Sequence, residues 1–236
     1  TVIATNSVVP VIEGCSVSGT LTVNNQTFTP VGDSSANELV YAGLVGRMIG
    51  GTINNCENKV AVTVDHLTAK DNAASVYPFV SGIAGYLAEH TKADGEKVYG
   101  HITNCTNSAA ITYQDASLSK HNSKRAVYIS GIVARCGGGN TAVISNNTND
   151  APITIKDAYV ENAGGRSMIG GIVARVGHIA EFSGNSNTAK GTITATGNIR
   201  KIYVGGVGGY VCDAVATFNE APCTVTDCTN YADVKL

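Results

Sequence analysis

The feature that most constrains this chain is a short phrase that returns five times. It reads Gly43-Leu44-Val45-Gly46, Gly82-Ile83-Ala84-Gly85, Gly131-Ile132-Val133-Ala134, Gly171-Ile172-Val173-Ala174 and Gly206-Val207-Gly208-Gly209. The leading glycines are separated by 39, 49, 40 and 35 residues. Each is preceded, two residues earlier, by Tyr41, Val80, Ile129, Ile169 or Val204. A unit this short cannot bury its own apolar side, so copies must stack and share one core.

Two more phrases complete the unit. The second runs Ile53-Asn54-Asn55-Cys56-Glu57-Asn58, and returns as Ile102-Thr103-Asn104-Cys105-Thr106-Asn107, Ile144-Ser145-Asn146-Asn147-Thr148-Asn149 and Val225-Thr226-Asp227-Cys228-Thr229-Asn230. Phe182-Ser183-Gly184-Asn185-Ser186-Asn187 is a degraded copy, and Ile12-Glu13-Gly14-Cys15 stands first without a preceding glycine phrase. Six and eight residues beyond the Cys/Asn position come Leu21/Val23, Val62/Val64, Ile111/Tyr113, Ile153/Ile155 and Val234/Leu236. In the degraded copy Ile193/Ala195 falls two residues late, a small insertion at Lys190-Gly191. Apolar residues alternating with Thr or Ala have the period of a half-buried strand, and no stretch carries helical spacing over three or more turns.

These spacings predict an all-β fold: a right-handed parallel β-helix (β-solenoid) of about six turns, each with three short strands, the first turn incomplete. The whole of 1–236 is expected to be a single domain, a fragment of a longer surface protein. Composition agrees. Aromatic residues are 6%, Trp is absent and Gly numbers 27, so the core is filled by small and β-branched side chains. A net charge of −2 offers no electrostatic footprint for nucleic acid, and no run of about 18 apolar residues is present to insert into a membrane. Residues 1–20 lack the pattern of a signal peptide, as a trimmed mature chain also would.

Stacking places equivalent residues about 4.8 Å apart, which turns the phrases into columns. Cys15, Cys56, Cys105, Asn147, Asn185 and Cys228 form one, flanked by inward aliphatics and expected to pack in the core. An inter-turn disulfide within it is at the short end of the allowed Cα separation. Cys136, Cys212 and Cys223 fall in loops or at strand ends, and a Cys212–Cys223 bridge would close one insertion. Asn58, Asn107, Asn149, Asn187 and Asn230 read as a hydrogen-bonded amide ladder at a turn. Thr22, Thr63, Thr112, Thr154 and Thr194 alternate with inward residues and face water, as β-branched residues suit an exposed strand. Such an array also offers a crystal- or ice-docking face. The fourth column, Arg47, Tyr86, Arg135, Arg175 and Tyr210, is the candidate binding feature. Planar cations beside aromatic rings either stack on each other or grip sugars and carboxylates, and otherwise form a solvated surface.

The glycine phrase followed by Gly51-Thr52-Ile53-Asn54-Asn55-Cys56 resembles the GLUG-type repeat of bacterial surface proteins. So does Ser81-Gly82-Ile83-Ala84-Gly85-Tyr86 followed by Ile102-Thr103-Asn104-Cys105. The resemblance covers roughly residues 40–236. It implies a bacterial, exported, extracellular or cell-surface adhesin-like protein with a β-helical fold, and it carries over no active site.

Catalysis on a β-helix, as in polysaccharide lyases and glycoside hydrolases, needs clustered carboxylates with a basic residue. Here Asp65-His66, Lys70-Asp71, Glu89-His90, Asp94, Glu96, Lys156-Asp157 and Glu161 are scattered over the insertions 65–78, 87–99, 114–126 and 156–167. No two acids recur at equivalent positions, and no nucleophile-elbow, zincin, phosphate-loop or EF-hand pattern occurs. The expectation is a non-catalytic protein, with no cofactor and no metal, that binds a glycan or a protein partner; a structural stalk is the alternative. Sugar binding would call on exposed Tyr77, Tyr86, Tyr99 and Tyr210.

Overall fold

The computed structural model describes residues 1–28, 38–69, 76–115, 126–137, 139–158, 166–177, 179–197, 201–211 and 224–236. Among them there is no helix. Strands gather into four parallel sheets, three taking one strand per unit and the fourth taking two from most units. One sheet has Glu38–Ala42, Tyr77–Ser81, Tyr128–Ser130, Ser167–Gly170 and Ile202–Gly205. The next has Val2–Ile3, Val45–Ile49, Ala84–Ala88, Val133–Cys136, Val173–Val176 and Gly208–Tyr210. A third has Val11–Glu13, Gly51–Asn54, Gly100–Thr103, Gly139–Ser145, Ile179–Ser183 and Thr224–Thr226. The fourth and widest is built on Ser16–Asn24 and Glu57–Ala69, continued by pairs such as Thr148–Asn149 and Ile153–Lys156.

The unit therefore carries four sheet positions where spacing alone predicted three strands. The extra strand precedes the glycine phrase, so Gly43-Leu44 is the corner between two strands rather than a strand itself. Equivalent residues pair in register: Ile53 with Ile102, Ile102 with Ile144, Ile144 with Phe182 and Phe182 with Val225. The insertion 87–99 also holds structure, an antiparallel pair of His90–Thr91 with Lys97–Val98.

The interior is a column of aliphatics. Ile83, Ile132 and Ile172 are fully buried, while Leu44 and Val207 pack half-buried on the same cluster. A corner residue with positive φ precedes the Cys/Asn position in every copy: Gly14 at 63°, Asn55 at 51°, Asn104 at 55°, Asn146 at 55°, Gly184 at 60° and Asp227 at 54°. Asn, Asp and Gly are the residues that tolerate this conformation, which is why the phrase keeps one of them there.

The leading glycine of each phrase has another cause. A Cβ built on Gly131 would collide with the Gly171 carbonyl oxygen and the Asn149 amide oxygen, and one on Gly82 with the Gly131 carbonyl and Asn107. Gly43, Gly171 and Gly206 face Asn58, Asn187 and Asn230 in the same way. The glycine column exists to make room for the asparagine column.

Candidate functional site

The asparagine ladder lies inside the stack. Asn58, Asn107, Asn149 and Asn187 are fully buried. Each Nδ2 donates to the Oδ1 of the next unit at 2.8 Å, from Asn58 through Asn107, Asn149 and Asn187 to Asn230. The second amide hydrogen goes to a backbone carbonyl two residues on: Val60, Ala109, Ala151 or Ala232, each at 3.0 Å. At the degraded unit the acceptor is Gly191, four residues on, so the Lys190-Gly191 insertion is absorbed without breaking the ladder. Buried amides must be satisfied, and these are.

The cysteine column changes character along its length. Cys56 and Cys105 are buried, Cys228 is half-buried, and Cys15 is exposed because it belongs to the edge unit. Its expected burial in the core therefore fails at that end. Burial pushes the Cys105 thiol up to about 12 and raises that of Cys56 as well. Asn147 and Asn185 fill the same column with hydrogen bonds. Cys105 N donates to Asn147 Oδ1 at 2.9 Å, and Asn185 Nδ2 donates to the Ile144 carbonyl at 2.8 Å. Cys136 is buried at a strand end, whereas Cys212 and Cys223 lie outside the described residues.

The Arg/Tyr column is brought together as one seam. Arg47 pairs with Tyr86, Tyr86 with Arg135, Arg135 with Arg175 and Arg175 with Tyr210 in adjacent strands. It is not simply a solvated face. The Arg47 and Arg135 guanidinium groups lie on either side of the Tyr86 ring, each 4.9 Å from its centroid. Both donate to one carboxylate: Arg47 Nη1 to Glu38 Oε2 at 3.3 Å and Arg135 Nη1 to Glu38 Oε1 at 3.0 Å. The Glu38 side chain is only 13% exposed, against 39% and 29% for the arginines.

The facing strands supply a second aromatic row. Phe79 contacts Tyr86 edge-on at 5.7 Å and Tyr128 at 5.1 Å, and Arg135 lies 5.6 Å from the Phe79 ring. Arg175 Nη1 reaches the Tyr128 hydroxyl at 3.5 Å, the limit of a hydrogen bond. Tyr203 stacks on Tyr210 at 5.8 Å, with Arg166 5.3 Å above the Tyr203 ring. Ala134 and Ala174 form the floor between the rows. Sequence reasoning missed Glu38, Phe79, Tyr128, Arg166 and Tyr203. The residues two before each glycine phrase signalled the inward face of their strand, and the alternate positions hold this outward row.

Tyr77, Tyr86, Tyr99 and Tyr210 are all half-buried rather than exposed, and Tyr99 packs on the core. Among the described residues the exposed tyrosine is Tyr231. Thr22 and Thr154 are exposed, and Thr63, Thr112 and Thr194 half-exposed, in one in-register column.

Three of the scattered acids are locally paired. Glu89 meets Lys97 at 3.0 Å, Glu96 meets Lys92 at 2.6 Å, and Asp65 meets His66 at 2.6 Å. Lys70, Asp71 and Glu161 lie outside the described residues. Among the described residues no three His, Cys, Asp or Glu side chains gather as metal ligands, and no helix is long and apolar enough to cross a membrane. No family model, curated protein or solved structure matches this chain.

Proposed function

We propose that this chain is a non-catalytic, adhesin-like protein of the bacterial cell surface, related to GLUG-type repeat proteins, which binds an extracellular glycan or protein partner. Its scaffold on this reading is a right-handed parallel β-helix of about six turns, supported by parallel in-register pairing of successive units and by the handedness rule for parallel crossovers. The observation that carries the binding role is the seam Arg47–Tyr86–Arg135–Arg175–Tyr210, a continuous strip of planar cations and rings one strand apart. Rings give a sugar a stacking face, and guanidinium groups give a carboxylate a bidentate partner.

A structural stalk is the second reading, and Glu38 favours it. One shared carboxylate occupies a donor of both Arg47 and Arg135, so part of the seam satisfies itself. The two readings separate on a double variant, Arg135→Ala with Arg175→Ala, screened on a glycan array and by pull-down beside a thermal melt. A binding seam loses its ligand while Tm barely moves. A large fall in Tm instead makes the arginines structural and removes the seam as a site. Unchanged binding moves the site to the loops.

A further inference from the structure

Cys15 and Cys56 are adjacent in their column, and Cys15 is its one exposed thiol among the described residues. The pairs Glu13–Asn54 and Ser16–Glu57 fix the register on both sides, which sets Cys15 directly over Cys56. Glu57 N donates to the Cys15 carbonyl at 2.8 Å, locking the backbones together at that point. Parallel neighbours about 4.7–4.9 Å apart fall within the 4.4–6.8 Å range of Cα separations that a disulfide accepts. Cys15 Sγ lies 3.5 Å from the Glu13 carbonyl oxygen, and Cys56 Sγ lies 3.7 Å from that of Ile12, in the Cys15 unit. Residues Cys15 and Cys56 both line one open pocket of about 360 Å³, whose other walls include Ser16, Glu57 and Thr106; the Cys56 side chain itself is buried.

We propose that this pair is a thiol-exchange site, at which a small disulfide such as oxidised glutathione converts Cys15 and Cys56 into an inter-unit cross-link. The exposed Cys15 thiolate attacks one sulfur of the small disulfide, forming a mixed disulfide and releasing one small thiolate. The Cys56 thiolate then attacks Cys15 Sγ, expels the second small thiol and closes the bridge. Two protons leave the protein and two small thiols are produced for each disulfide consumed. Cys105 stands in the same register beyond Cys56, yet both of those thiols are buried and no small disulfide reaches Cys105. Exchange therefore starts at Cys15 and stops at Cys56. The bridge ties down the edge strands Val11–Glu13 and Ser16–Asn24, each of which, among the described residues, has a strand on one side only.

The test treats the reduced protein with oxidised glutathione, caps the remaining thiols and maps the peptides by mass. The expected product links the Cys15 and Cys56 peptides, short of two hydrogen atoms, and melts at a higher temperature than the reduced protein. Cys15→Ser should leave Cys56 and Cys105 unmodified and abolish the rise in Tm. Cys56→Ser should trap glutathione on Cys15. A wild-type protein that stops at the mixed disulfide overturns the proposal, as does a Cys56–Cys105 link or an unreacted Cys15. Should Cys56→Ser fail to fold, Cys15→Ser, at an exposed position, still decides between these outcomes.

Discussion

At the scale of a residue, Asn107 shows how little slack the interior has. Its amide donates to Asn149 and to the Ala109 carbonyl, and accepts from Asn58. Asn107→Ala would leave a donor on Asn58 and an acceptor on Asn149 buried without partners. At about 1–3 kcal/mol for each buried group so orphaned, the variant should lose roughly 3 kcal/mol or more in a denaturant titration. Asn230→Ala removes only an end of the ladder at an exposed position, so its loss should be the smaller by a clear margin. Gly131→Ala tests the glycine column separately. The added methyl meets the Gly171 carbonyl and the Asn149 amide, and overpacking of this kind costs about 1–3 kcal/mol. Because Gly131 is not among the glycines with positive φ, space and not torsion is what the substitution violates.

At the scale of an element, the seam is a device for holding two strand rows face to face. Glu38 is its keystone, since it bonds Arg47 of its own unit and Arg135 two units along the stack. A double-mutant cycle of Glu38→Ala with Arg135→Ala should give a coupling of about 1–2 kcal/mol, as expected for a half-buried pair rather than a fully exposed one. Glu38→Gln should also raise any affinity for acidic glycans, because two guanidinium groups lose their internal anion; unchanged affinity would argue that the seam faces no ligand. Much of this architecture was legible in the sequence. Columns were readable because each phrase recurs, so the pairing of Ile53, Ile102 and Ile144 followed from alignment of the copies alone. The extra strand was not, because Glu38–Ala42 and its equivalents share outward residues of unlike chemistry: Val40, Phe79, Tyr128, Met168 and Tyr203. Nor was Glu38 readable as a partner of Arg135, 97 residues away, since an ion pair leaves no period. The link between glycine and asparagine columns was available in principle. Both persist through five copies while the number of residues between them changes.

At the scale of the whole molecule, buried thiols make stability depend on alkaline pH. Unfolded Cys105 has the ordinary value of 9.0, and folded Cys105 is held up to about 12. Its contribution is fully present below 9.0 and is lost as pH climbs towards about 12, because only the unfolded chain releases the proton. Denaturation midpoints should therefore fall across that window, and Cys105→Ala should flatten the slope there whatever it does to the midpoint at neutral pH.

The same stack has a direction that no single unit reveals. Each of Asn58, Asn107, Asn149 and Asn187 points its nitrogen towards the next unit, and a nearby carbonyl, two residues on or four at Asn187, accepts from that same nitrogen, which fixes the orientation locally. No one amide can reverse without breaking bonds to both neighbours and to its own backbone. Five carboxamide dipoles are thus aligned head to tail in a low-dielectric interior, where such chains polarise one another. The ladder has an electrical polarity along its axis: its oxygen end is at Asn58, under the first unit, and its nitrogen end is at the exposed Asn230. A unit laid on the Asn230 face continues the series only if it brings an oxygen, so the interior itself distinguishes one end of the stack from the other.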